Sequence, residues 1–251
     1  PFVTDLDFGQ KVVDAAREKG VKVAVNQNGR WAPHVAYMRQ AIREGWIGDL
    51  VSIDLSVHWS HNGFADTAFD DIPNLILYDF AIHWFDMVHC YTPDLDAESV
   101  YARSRASRSQ ETRAPLLSHA MIEFPHAQAS LAFRADTRHT KRDRSVIVGT
   151  KGALISEGPN LNEQSVSLFT DKGEARPELE GSWFPAGFDG TMSELVCAIE
   201  ADREPINSAA DNLASLELCF AAIQSAETEQ IVTPGEARRI EPGWLSYQAR
   251  T

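Results

Sequence analysis

The chain has 251 residues, with 23 Lys plus Arg against 36 Asp plus Glu, for a formal net charge of −13. Hydrophobic residues make up 43%, enough to bury a sizeable core and too many for a disordered chain, and no apolar run approaches the roughly 20 residues that span a bilayer. So acidic a protein argues against nucleic acid or an anionic membrane surface as the main partner and fits neutral small molecules.

In chain order, residues 4–19 read as a helix, with Thr4 as N-cap, Asp5 and Asp7 at its positive end and Gly20 as the stop. VKVAV (21–25) is short, apolar and β-branched, the pattern of a buried parallel strand. Helix, glycine and strand make the second half of a βαβ unit. NQNGR (26–30) follows at the carboxyl end of that strand, where open parallel sheets bind ligands. There Asn26, Gln27 and Asn28 offer neutral donors and acceptors, and Arg30 a planar fork for an anion or a carbonyl; an ordinary strand-to-helix turn fits equally well. A second helix spans 33–45, opened by Pro33 and closed by Gly45, with Tyr37, Ala41 and Ile42 available for its inner face. An alternating strand covers 51–60 and a polar, irregular stretch 61–73, with His58 and His61 set on opposite faces by their odd spacing. Residues 75–91 (LILYDFAIHWFDMVHCY) are too long and apolar for an exposed strand and predict a buried helix.

Strands are expected at 98–105, 117–124, 127–135, 144–149, 152–156 and 165–170, the second and third forming a hairpin across Pro125 and His126. A loose stretch at 174–187 precedes two helices, 188–202 and 209–228. Most strands neighbour one another in sequence, so antiparallel pairing should dominate. Two basic groups, Arg103/Arg105/Arg108/Arg113 and Arg134/Arg138/Lys141/Arg142/Arg144, are expected in solvated loops or against acids of a partner subunit. Three cysteines, Cys90, Cys197 and Cys219, form no CxxC pair, which makes a disulfide framework or zinc site improbable and a reducing cytoplasm the default.

The segment DFAIHWFD carries the most chemistry. On an α-helix, Asp79, His83 and Asp86 share one stripe among Phe80, Ile82, Trp84 and Phe85. Burying such groups is costly unless they are paired. The stripe is either a structural Asp–His–Asp cluster or a general acid/base in which Asp79, at i−4, tunes His83 towards neutrality.

Taken together, FVTDLDFGQKVVDAAREKGV after Pro1, VKVAVNQNGRWAPHV, AIREGWIGDLVSI, LYDFAIHWFD and VIVGTKGAL with the late ELVCAIEADREPINSAADNLASLELCFAAIQSAETEQIV resemble the C-terminal portion of the glucose–fructose oxidoreductase/inositol dehydrogenase/rhizopine-catabolism (Gfo/Idh/MocA) family. The resemblance covers nearly the whole chain, and its Asp-x-x-x-His helix and late helices are the most specific parts. It implies an α+β fold: an open mixed, mostly antiparallel sheet with helices on one face (48–251), preceded by a remnant of a Rossmann dinucleotide-binding domain (1–47). It implies hydride transfer between NAD or NADP and a hydroxyl or carbonyl carbon of a sugar or cyclitol. His83 would be the proton donor/acceptor, Asp79 its assistant, and Asn26, Gln27 and Arg30 would lie near cofactor or substrate. The open sheet face would make a homo-dimer or homo-tetramer. In the family, the Gly-rich dinucleotide loop and catalytic Lys precede the position of Pro1, so this chain is expected to be a truncated, inactive piece of an enzyme. Two other readings stay open: a metal-dependent hydrolase or isomerase using His58, His61, Asp79, His83 and Asp86, and a non-catalytic binding module of the same fold.

Overall fold

The computed structural model describes residues 1–240. Two helices come first, α1 (Leu6–Lys19) and α2 (Pro33–Arg43), then strand β1 (Leu50–His58) and helix α3 (Ile82–Tyr91). Seven strands follow: β2 (Ser99–Arg105), β3 (Leu117–Phe124), β4 (Ala127–Arg134), β5 (Arg142–Gly149), β6 (Gly152–Asn160), β7 (Glu163–Thr170) and β8 (Gly173–Ala175). Helices α4 (Trp183–Glu200) and α5 (Ala209–Thr228) close the described fold. No helix among the described residues is long and apolar enough to cross a membrane.

All eight strands form one sheet in the order β2-β3-β4-β1-β5-β6-β7-β8. Only β1 and β4 pair in parallel, because the chain leaves β1 through α3 and the β2–β3–β4 meander before returning beside it. Every other pairing is antiparallel, as the clustering of strands in sequence predicts. Alternation sorts the faces: Ile53, Leu55 and Val57 of β1 and Ala129, Leu131 and Phe133 of β4 are buried. They join one core with Trp84 and Phe85 of α3 and Phe220 of α5, and the Trp84 ring rests 5.6 Å from that of Phe133. Burial of these side chains, at about 1.5–3 kcal/mol each, is the main force holding helices to sheet.

Several expectations shift. The N-cap of α1 is Asp5, not Thr4: its carboxylate accepts from the Phe8 amide at 2.9 Å, while Gly20 ends the helix in the left-handed conformation (φ 63°) as expected. The inner face of α2 is His34, Val35, Met38 and Ala41, with Tyr37 and Ile42 only half-buried. Residues 21–25 are the main correction. They form no strand; their one bridge is antiparallel, Ala24 to Ser208, supported by Val25 N–H to Asn207 O and Ala209 N–H to Val23 O, both 2.8 Å. A strand needs a ladder partner, and here residues 23–25 bond only briefly to the short run that caps α5. A Rossmann remnant is therefore not seen as a sheet. Finally, α4 starts at Trp183, inside the stretch expected to be loose.

Candidate functional site

The helix expected at 75–91 is built in two parts. Residues Ile76–Phe80 form a π-helical turn, with the Ala81 amide bonding back to Ile76 O at 2.7 Å, and α3 begins at Ile82. Such a wide turn inserted in a helix recurs at functional sites. It also breaks the regular 100° step on which the single stripe of Asp79, His83 and Asp86 depended, and Asp79 parts company with the other two.

His83 turns to the NQNGR turn. Its Nδ1 lies 3.0 Å from Oε1 of Gln27, while the ring stands edge-on to Trp183 at 6.4 Å. Among the described residues Nε2 meets no hydrogen-bond partner, and the side chain keeps a partly accessible edge. Desolvation pushes the His83 pKa down to about 4, against a smaller upward pull from Asp86. His83 is thus a neutral imidazole at pH 7, not one tuned towards neutrality. Asp79 is half-buried and makes no hydrogen bond to His83; burial raises its pKa.

Asp86 points inward instead and meets Arg30 in a bidentate pair, Nε–Oδ2 2.7 Å and Nη2–Oδ1 2.6 Å. Ser215 of α5 adds a hydroxyl to Oδ1 at 2.8 Å. Arg30 also donates to the Ile206 carbonyl and lies 2.6 Å from Oδ2 of Asp211, an ionic contact without good hydrogen-bond alignment. His89 holds the other oxygen of Asp211 at 2.9 Å. Arg30 is 3% exposed, and its charge is held by Asp86 and Asp211 against the cost of burial. The fork read as free for an anion or carbonyl is therefore spent on a structural ion pair. Asn26 is exposed, while Gln27 and Asn28 are buried.

An aromatic group extends from His83 towards the end of β1. Trp84 stacks on Trp183 at 6.0 Å and meets Phe80 in a tilted contact at 4.5 Å, and Trp59 and His61 lie against Phe80 at 5.0 and 4.5 Å. Burial takes the pKa of His61 down to about 4. His58 turns elsewhere, towards Ser56 Oγ (3.1 Å) and Arg134 (3.3 Å), so the two histidines do not converge. No group of three or more metal-capable side chains comes together among the described residues. The basic groups are largely paired within the chain: Arg103 and Arg105 with Glu229, Arg113 with Asp70 and Asp71, Arg138 with Glu111, Arg144 with Glu157. The cysteines are free thiols.

Two well-formed cavities lie away from His83. One of about 360 Å³ is lined by Ile72, Tyr78, Ile223 and Glu227, and one of about 290 Å³ by His89, Leu95, Glu217 and Leu218. The sequence reading missed Trp183, assigned to a loose segment, and the Arg30–Asp86–Asp211–Ser215 network, whose members lie far apart in sequence. The one local clue was Ser208 three residues before Asp211, whose hydroxyl caps α5 by accepting from the Asp211 amide at 3.1 Å.

Residues 35–155 match the GFO/IDH/MocA C-terminal domain. Over that span the chain is similar to the C-terminal domain of the Gfo/Idh/MocA oxidoreductases. The chain is 26% identical over 250 residues to an inositol 2-dehydrogenase of Rhizobium meliloti (strain 1021), a match covering 92% of this chain and 71% of the relative. It is 25% identical to a 1,5-anhydro-D-fructose reductase of Ensifer adhaerens, over 97% of this chain and 72% of that one. Among solved structures, an oxidoreductase from Agrobacterium radiobacter in complex with NAD+, L-tartaric acid and magnesium shares the fold with a TM-score of 0.81 at 17% identity, covering 94% of this chain and 71% of that one.

Proposed function

We propose that this chain carries the substrate and proton-transfer half of an oxidoreductase acting on a hydroxyl or carbonyl carbon of a sugar or cyclitol. The reading is carried by the relatives named above together with one feature of the site: a neutral, partly accessible His83 whose Nε2 is unpartnered. A neutral imidazole accepts a proton from a hydroxyl as it becomes a carbonyl and returns it in the reverse direction. Asp86, whose charge pulls the His83 pKa upward, favours the imidazolium that forms. Trp59 and Phe80 are half-buried and can offer apolar ring surface to the C–H side of a sugar, while Trp84 and Trp183, each 2% exposed, back them from the core.

When bound, a nicotinamide dinucleotide supplies the hydride chemistry. The 251 residues hold no Gly-x-Gly-x-x-Gly turn to cradle a pyrophosphate, Arg30 is closed off by Asp86, and Gln27 is engaged by His83. The chain by itself therefore binds NAD(P) weakly and does not turn over. Titrating NADH against the 251-residue polypeptide tests this, and micromolar binding with turnover refutes it. In a polypeptide that also carries a Gly-rich dinucleotide-binding segment, His83→Ala lowers turnover of myo-inositol or monosaccharides by about 10²–10⁴-fold. Unchanged turnover with a large loss of thermal stability would remove His83 from the chemistry. We also propose that the open sheet face joins a second copy of the chain.

A further inference from the structure

We propose that Gln27 is a positioning residue: it holds His83 as the Nδ1–H tautomer and so assigns proton exchange with the reacting oxygen to Nε2. The inference rests on the reading above for the use of Nε2, but its central statement concerns only the imidazole.

Neutral imidazole has two tautomers, and the partner of one ring nitrogen decides where the proton sits. With the amide oxygen of Gln27 3.0 Å from Nδ1, that nitrogen must donate, which leaves the lone pair on Nε2. Asp79, the residue that sequence spacing selected for this task, makes no such bond.

The Gln27 backbone is fixed from behind. Gln27 is 4% exposed. Its backbone N–H donates to Val25 O at 2.8 Å, and its carbonyl accepts from the Arg30 amide at 3.2 Å. The Arg30 guanidinium is in turn gripped by Asp86 at 2.6 and 2.7 Å. His83 and Asp86 both belong to α3, three residues and nearly one turn apart. The NQNGR turn is thus fastened to one helix at two points: a charged pair that sets its position and an amide–imidazole bond that reads it out. Gly29 lets the turn sit this close, since a Cβ there would lie 2.8 Å from the Trp183 ring.

In the oxidative direction the substrate O–H bond breaks and an Nε2–H bond forms; a bound oxidised nicotinamide would supply the acceptor for the hydride that leaves carbon. The resulting imidazolium keeps Nδ1–H on Gln27 and later gives the Nε2 proton to water. In reduction the steps reverse.

The test is long-range ¹H–¹⁵N correlation spectroscopy on the ¹⁵N-histidine-labelled 251-residue chain at pH 7, with the His83 signals assigned by their loss in His83→Asn. Wild type should show a protonated Nδ1 and a pyridine-type Nε2. Gln27→Leu, close in volume, should give a mixed or reversed tautomer, and Gln27→Glu should keep Nδ1–H and raise the His83 titration midpoint. An Nε2–H wild type, or a Gln27→Leu spectrum like that of wild type, overturns the proposal. With the dinucleotide-binding segment present, Gln27→Leu should lower kcat about tenfold with little change in KM, and Gln27→Glu should restore part of it. If the tautomer behaves as expected but His83→Ala leaves turnover intact, the functional reading fails while the positioning of the ring stands.

Discussion

Arg30 and His83 sit on either side of one short turn and have opposite fates. Arg30 is almost fully enclosed, and two carboxylates meet it. Removing one member of such a pair leaves a buried charge uncompensated, which typically costs about 3–5 kcal/mol. Arg30→Met should therefore lower the stability of the 251-residue chain by roughly that amount in urea unfolding, with an unchanged m-value. A loss below about 1 kcal/mol would mean that Asp86 finds water or Ser215 enough. The pairing was not legible beforehand because Arg30 and Asp86 lie 56 positions apart. The sequence pattern showed that both were costly to bury, not that each resolved the cost of the other. Similarly, DFAIHWFD pointed to His83, but the choice of Gln27 over Asp79 as its partner depends on the approach of a separate loop.

At the scale of elements, the apolar density of 75–91 announced a buried helical segment, but not the π-turn at 76–80 that shifts Asp79 out of phase with His83. Local periodicity assumes a uniform helix, and the extra residue per turn is tolerated here because packing on both sides holds it. Helix α4 gives a related lesson. Its early turns approach the 3-10 turn Asn28–Trp31 so closely that a Cβ on Gly187 would lie 2.6 Å from the Asn28 carbonyl oxygen. Backbone cannot move aside as a side chain does, so Gly187→Val should destabilise by about 1–3 kcal/mol. By differential scanning calorimetry that corresponds to a Tm drop of roughly 2–4 °C per kcal/mol. An unchanged Tm would show that α4 can lift off the turn without loss. Glycines in a predicted loose segment gave no sign of this, since close approach exists only after both elements have met.

For the whole molecule, acid sensitivity follows from histidines buried as neutral rings. His34, His61 and His83 are each pushed down to about 4 from 6.5 by desolvation. Below pH 6.5 the unfolded chain takes up these protons while the folded one does not, so stability is lost as pH falls from 6.5 towards 4. Asp143 opposes them: buried in β5 and raised to about 7, it favours the fold below that pH and loses its contribution as pH rises. The three rings, joined by His58 and His119, which are lowered too, outnumber Asp143 and the raised Asp79 and Glu217, so the net effect is loss of stability towards acid. Melting temperature should therefore fall steadily between pH 6.5 and 4, and Asp143→Asn should steepen that fall. A flat profile over this window would contradict neutral burial of the three rings. The sheet makes a separate prediction. On its open face Val146 and Ile155 stand opposite each other, with Met121 and Phe169 exposed farther along neighbouring strands. If that face joins two copies, Ile155→Glu should convert the assembly to a monomer in sedimentation velocity without changing its circular dichroism. A wild-type monomer would end this part of the proposal.

What the sequence by itself determined is everything set by local pattern and likeness: the order of most helices and strands, the β3–β4 hairpin, the dominance of antiparallel pairing, the extent of α5, the similarity to the Gfo/Idh/MocA C-terminal domain, and His83 as the residue to watch. These depend on side-chain period, turn residues and shared motifs, all of which lie along the chain. Tertiary structure alone decided which groups meet: Gln27 with His83, Arg30 with Asp86 and Asp211, Trp183 over the site, and the failure of VKVAV to become a strand. Each of those outcomes depends on what is present across space to accept a hydrogen bond, cancel a charge or extend a ladder, and no one-dimensional period encodes that.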